Sequence, residues 1–137
     1  MRAVLDPNVI ISALLSPEGS PARVLRLWLE GACELVCSPL LLDELTRALA
    51  YPKLTSHIDG GDADELLSLL RRGAVTIDDP AEPPPVASPD PDDTYLIALA
   101  EVSRSVLVSG DADLLGLTGL IPVYSPAGFL HLIAEGY

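Results

Sequence analysis

Asp90-Pro91-Asp92-Asp93-Thr94-Tyr95-Leu96-Ile97-Ala98-Leu99-Ala100, then Val106-Leu107-Val108-Ser109-Gly110-Asp111-Ala112-Asp113-Leu114-Leu115, is the stretch on which the fold of this 137-residue chain turns. It reads as a helix from about Thr94 to Val102 that opens on three carboxylates. A short buried strand follows within Ser105 to Ser109, and Gly110 breaks it just before two more acids. A parallel, central strand in an open α/β sheet presents its ligands at its C-terminal end. Two neighbouring elements therefore deliver acid groups to one place.

Helix capping is the ordinary explanation for acids at a helix start, and each cap contributes roughly 0.5–2 kcal/mol. Asp90 before Pro91 fits an N-cap with proline at the first helical position, and Asp93 three residues on would complete an acidic capping box. Capping accounts for Asp90 and Asp92. Asp93 differs, because on a helical wheel it sits over Leu96, Ile97 and Ala100, on the apolar stripe. A carboxylate there requires a counter-charge.

The same punctuation runs through the rest of the chain. Asp6-Pro7, Ser20-Pro21, Ser38-Pro39 and Ser125-Pro126 each set a capping residue before a proline and an apolar-periodic segment. Between these helix starts lie apolar runs that read as strands: Ala3 to Leu5, Glu34 to Cys37, Val75 to Ile77, Ser105 to Val108 and Pro122 to Tyr124. Asp62 to Arg72 supplies a further helix with Leu66, Leu67, Leu69 and Leu70 on its apolar face. Strands alternating with helices predict a three-layer α/β/α sandwich around a central parallel sheet, as one domain over residues 1–137. The proline-rich run from Asp78 to Pro89 reads as a stiff surface connection.

The helix from Pro39 to Ala50 adds one more acid. Leu40, Leu41, Leu42, Leu45, Ala48 and Leu49 form its apolar face, and Glu44 lies at the edge of that face between Leu40 and Ala48. Asp43, Thr46 and Arg47 point to solvent, with Arg47 in reach of a weak pairing with Glu44. Asp6, Glu44, Asp93, Asp111 and Asp113 are the candidate site acids, and four of them fall where strands end or helices begin. Two carboxylates at ~4 Å repel by about 4 kcal/mol at an effective dielectric near 20. Such a cluster persists only by taking up protons or cations, and oxygen ligands without His or Cys select Mg²⁺ or Mn²⁺. The chemistry that follows is metal-assisted phosphoryl transfer.

These motifs resemble the PIN-domain ribonucleases, and within them the VapC-like toxins of toxin–antitoxin pairs. Val-Leu-Asp-Pro-Asn-Val-Ile-Ile-Ser-Ala-Leu-Leu from Val4 is similar to the family's opening strand and helix. Ser38-Pro39 through Leu45, Asp90 through Leu96, and Val108 through Leu115 are similar to its second, third and fourth motifs, in order. The resemblance implies a PIN-like fold, with Asp6, Glu44, Asp93 and Asp111 as catalytic, metal-binding acids and Asp113 as an auxiliary ligand. It places Asn8, Ser12 and Ser109 at polar positions that orient the acids or a bound water. It further implies Mg²⁺- or Mn²⁺-dependent endonucleolytic RNA cleavage, a small antitoxin as partner, and room for a homodimer. Pro7 stands where the family commonly has Thr, and Ser109 replaces the more usual Thr but keeps its hydroxyl.

Charge and composition narrow the alternatives. A net charge of −12, from eight Lys and Arg against twenty Asp and Glu, argues against a surface that coats nucleic acid. It is compatible with a nuclease whose cations supply local positive charge. A haloacid-dehalogenase-like phosphatase would need a second acid where Asn8 stands and a suitably placed lysine, and Lys53 is the sole lysine. A non-catalytic PIN-like binding or assembly module is the other alternative. Cys33 and Cys37 lack a second ligand pair and read as reduced core residues rather than a zinc site. Asp6 interrupts the first apolar residues and no run approaches membrane-spanning length, so a cytoplasmic protein without membrane contact is expected.

Overall fold

The structure, a computed structural model, describes residues 1–136; Tyr137, the last residue of the expected domain, lies outside the described residues. The chain runs β1 (Arg2–Leu5), α1 (Pro7–Leu15), α2 (Ser20–Leu29), β2 (Glu34–Cys37), α3 (Pro39–Leu49), α4 (Pro52–Thr55), α5 (Gly60–Gly73) and β3 (Val75–Thr76). After the proline-rich connection come a 3₁₀ turn (Pro91–Asp93), α6 (Thr94–Val102), β4 (Val106–Val108), α7 (Ala112–Leu115), β5 (Val123–Tyr124) and α8 (Pro126–Ala134). The five strands form one sheet in the order β3-β2-β1-β4-β5, and every pairing is parallel. Helices flank the sheet, giving the expected three-layer α/β/α sandwich.

Burial follows from those layers. β1 and β2 are buried at every residue but their first, because a parallel sheet is covered on both faces. Leu41, Leu45 and Leu49 form the buried stripe of α3, whereas Leu40 is 48% exposed at the helix's first turn, contrary to the inward position expected for it. α6 buries an unbroken run from Leu96 to Ala100, as a helix held between sheet and connection must. Cys33 and Cys37 are free and buried, and desolvation pushes the Cys37 thiol up to about 12. No helix among the described residues is long and apolar enough to cross a membrane.

Strand ends shift by single residues, for hydrogen-bonding reasons. Ser105 stays outside β4 because its N–H donates to the Ala100 carbonyl at 2.8 Å, closing α6. Pro122 has no N–H, so β5 begins at Val123, although the Pro122 carbonyl accepts from Leu107 at 2.9 Å. Ser20 is the first residue of α2 rather than its cap; Gly19 takes that place without a side-chain bond. The single-turn helices α4 and α7 carry no apolar period of their own.

The sheet order sets the position of the site. From β1 the chain leaves towards β2 and β3, and it returns to the other side of β1 as β4 before moving outward to β5. The connections after β1 and β4 thus depart in opposite directions. In an open α/β sheet, that divergence opens a crevice beyond the strands' C-terminal ends. Leu5 is in register with Val108, so Asp6 and Ser109 emerge side by side at its floor.

Candidate active site

Asp6 is built into the crevice from both sides. Its N–H donates to the Val108 carbonyl at 2.9 Å, continuing the β1–β4 ladder by one residue. Its Oδ1 accepts the Asn8 N–H at 3.0 Å, making it the N-cap of α1 with Pro7 at the first helical position. Its Oδ2 accepts from the Ser109 hydroxyl at 2.8 Å. The same Ser109 oxygen accepts the Asp111 N–H at 3.0 Å, and one fully buried hydroxyl so links the first and the fourth acid. Asp6 is only 3% exposed. Desolvation raises its pKa, the bonds from Asn8 and Ser109 oppose the rise, and the charge of Asp111 adds to it.

The expected capping box at Asp90 does not form. The Asp90 side chain caps a 3₁₀ turn through the Asp92 N–H at 3.0 Å, while the Asp90 N–H donates to the Ser88 hydroxyl at 3.2 Å. α6 starts three residues later than Pro91, at Thr94. Proline excludes the α region at Asp90 and the turn tightens to 3₁₀ before the helix proper. Asp93 is left at the head of α6 with no capping bond from its side chain. Its half-buried carboxyl faces the other acids instead. Burial, a hydrogen-bonding approach to Asp111 and the charges of Asp6, Asp90 and Asp111 push its pKa up to about 7. Asp92 is exposed, as capping alone requires.

Glu44 is half-buried on α3 and accepts a hydrogen bond from the Tyr95 hydroxyl; Arg47 turns instead to the Asp43 carbonyl at 3.4 Å. Asp43 and Asp113 are both exposed. The Asp113 N–H donates to Asp111 Oδ1 at 2.8 Å, so Asp111 caps α7. Asn8, Ser12 and Asp111 line one cleft of ≈ 370 Å³ together with Gly110, Pro21 and Pro126. The helix face shared by Asn8 and Ser12 thus looks onto Asp111. A second cavity of ≈ 330 Å³, apolar and lined by Ile97, Val106, Leu107 and Ile121, contains Arg104 and one acid, Glu101.

Two residues of the groove escaped the sequence reading. Tyr95 lies in an aliphatic helix two residues after Asp93, and its signal was the polar tip that a buried tyrosine must satisfy. Asp79 sits in the proline-rich connection. Its Oδ2 accepts the Leu40 N–H at the start of α3 at 3.0 Å, and its Oδ1 is buried with no hydrogen-bond donor. Burial, the hydrogen bond to Glu44 and the charges of Glu44, Asp6 and Asp79 all raise the Tyr95 phenol pKa. Nothing in the local sequence joins Asp79 to α3.

The donor set suits a hard divalent cation. Every candidate ligand is a carboxylate oxygen. Among the described residues the one ion pair is Arg2 with Glu34 at 3.5 Å, so no Lys or Arg compensates the acids. Arg71, Arg72 and Arg104 precede β3 and β4, at the opposite edge of the sheet. The raised proton affinity of Asp93, set first by burial and then by its acid neighbours, accords with that deficit. Among the described residues no three His, Cys, Asp or Glu side chains close tightly enough to grip an ion as they stand.

The family described as PIN domain matches residues 2–113. A protein of Methanocaldococcus jannaschii, "Uncharacterized protein MJ1680", is 32% identical over 119 residues, covering 85% of this chain and 75% of that protein. Among solved structures, VapBC2 from Rickettsia felis bound to a promoter DNA fragment superposes with a TM-score of 0.61 at 15% identity, covering 91% of this chain and 98% of that one. A PilT N-terminus domain protein from Sulfolobus solfataricus gives 0.61 at 18% identity, over 100% and 97% of the two chains. FitAcB from Neisseria gonorrhoeae gives 0.56 at 18% identity, over 91% and 98%. At these identities the structural likeness is one of fold.

Proposed function

The chain belongs to the PIN-domain family, a family of nucleases, and on that premise we propose that it is a Mg²⁺- or Mn²⁺-dependent endoribonuclease acting as one PIN-like unit. The reading is supported by Asp6 and the Asp111 backbone sharing one Ser109 hydroxyl beyond the ends of β1 and β4, with Asp93 near enough for their charges to raise its proton affinity and no cationic side chain paired with them. Family membership sets aside the phosphatase alternative. RNA as substrate rests on the resemblance of the motifs. A role as toxin, held by a small antitoxin in the cytoplasm, is supported by that resemblance and by the fold shared with VapBC2 and FitAcB.

Asp6, Glu44, Asp93 and Asp111, with Asp113 as auxiliary, are the residues that would hold the cation. When bound, it would supply activation of a water towards phosphorus and neutralisation of charge on the leaving oxygen. The chain's own residues prepare that chemistry. Ser109 fixes the Asp6 carboxylate and the backbone of Asp111 with one hydroxyl. Asp93, whose proton affinity burial and its acid neighbours raise, would exchange that proton for the cation. Asn8 and Ser12 offer polar groups on the cleft wall to an incoming phosphate or water. Pro7 removes the hydroxyl usual at its position but leaves the cap intact, because the first helical position needs no N–H.

Titration of Mg²⁺ or Mn²⁺ into purified protein with a mixed RNA pool tests the proposal. Cleavage that appears with the ion and vanishes in EDTA is expected. A folded protein that leaves the pool intact across the titration overturns the reading.

A further inference from the structure

Glu44 stands apart from the other acids. It is carried by α3, after β2, whereas Asp6, Asp93 and Asp111 come from β1, α6 and the end of β4. It is half-buried and has a longer, more flexible side chain than the aspartates, so holding it in one rotamer costs conformational entropy. The bond that opposes this is the one from the Tyr95 hydroxyl, across 51 positions of sequence.

Resting on the metal-dependent reading above, we propose that Tyr95 is a positioning residue that holds the Glu44 carboxylate in the acid groove for its share of the cation. A phenol suits this task better than a lysine or arginine. It donates one hydrogen bond and brings no charge, so the groove keeps the negative potential that attracts a cation. A basic side chain would orient Glu44 and neutralise it in the same step. Ser109 treats Asp6 in the same manner, with a neutral hydroxyl on a buried carboxylate. Both hydroxyls lie outside the acids themselves, yet each fixes one of them.

The test is a double-mutant cycle on Mn²⁺ affinity, measured by calorimetry on the metal-free full chain, with Tyr95→Phe, Glu44→Gln and the double variant. Phenylalanine keeps the ring, so folding should be unchanged by circular dichroism. Loss of a hydrogen bond to a charged group predicts Mn²⁺ binding weaker by about tenfold or more in Tyr95→Phe. In the Glu44→Gln background the same substitution should change affinity less than twofold, because the tyrosine acts through Glu44. Equal loss in both backgrounds would mark a merely structural role and overturn the proposal. So would unchanged or tighter binding by Tyr95→Phe alone. If the wild-type chain binds no Mn²⁺, the proposal falls together with the reading it rests on, whereas full binding by Tyr95→Phe sinks it alone.

Discussion

Replacing Ser109 by alanine removes one oxygen and breaks two bonds of the groove floor. The hydroxyl donates to Asp6 Oδ2 at 2.8 Å and accepts the Asp111 N–H at 3.0 Å. Asp6 is 3% exposed, so solvent cannot readily replace the lost donor. A bond to a charged group contributes about 1.5–3 kcal/mol and a neutral one about 1 kcal/mol, so a loss of about 2–4 kcal/mol is expected. With an unfolding entropy of about 2.1 cal/mol/K per residue, a chain of this length should melt about 7–14 °C lower. The assay is thermal and urea unfolding in EDTA at pH 7.5. The loss should shrink at acidic pH, where a protonated Asp6 no longer needs a donor for its charge. Ser109→Thr keeps the hydroxyl and should recover more than half of the loss. An alanine variant that melts within about 2 °C of wild type would refute the assignment of Ser109 as the link between the acids.

Asp93, raised to about 7 in the folded state, binds its proton more tightly there than in the unfolded chain. Its contribution to metal-free stability should therefore be full below about pH 4 and lost as pH rises through about 7, and urea midpoints that climb over this window would contradict it. RNA binding should be weak in EDTA and gain with Mg²⁺, with a salt slope of about two phosphate contacts or fewer at roughly 0.7 per contact. Tight binding in EDTA with a steep slope would mean a basic track the structure does not present. Expression alone should slow growth, and co-expression with a small antitoxin encoded beside it should restore growth; harmless expression of active protein would favour a housekeeping nuclease.

Local chemistry explains what was legible in the chain. Capping residue and proline at Asp6-Pro7, Ser38-Pro39 and Ser125-Pro126 mark helix starts because both effects act within one turn, and all three caps form as written. The strands are readable because a sheet covered on both faces demands short, wholly apolar runs. At Asp90-Pro91 the same signal was ambiguous, since a capped proline can open a 3₁₀ turn as readily as a helix. That ambiguity hid why Asp93 is free of capping. Asp79 and Tyr95 were invisible for another reason: their partners, Leu40 and Glu44, are 39 and 51 positions away. The spacing of the acids could be read, but the groups that orient them depend on tertiary contact.

In the proposed reaction Asp93, with Asp6, Glu44 and Asp111, would hold a cation that lets water cut RNA. Cleavage of an end-labelled RNA by wild type, Asp92→Asn and Asp93→Asn, with the new ends identified by mass, tests it most directly. Wild type and Asp92→Asn should cut in Mn²⁺ but not in EDTA, and Asp93→Asn should be folded and inactive. Attack by water should leave no cyclic phosphate at the cut. Cleavage by Asp93→Asn, or cyclic phosphate ends formed in EDTA, would contradict the claim.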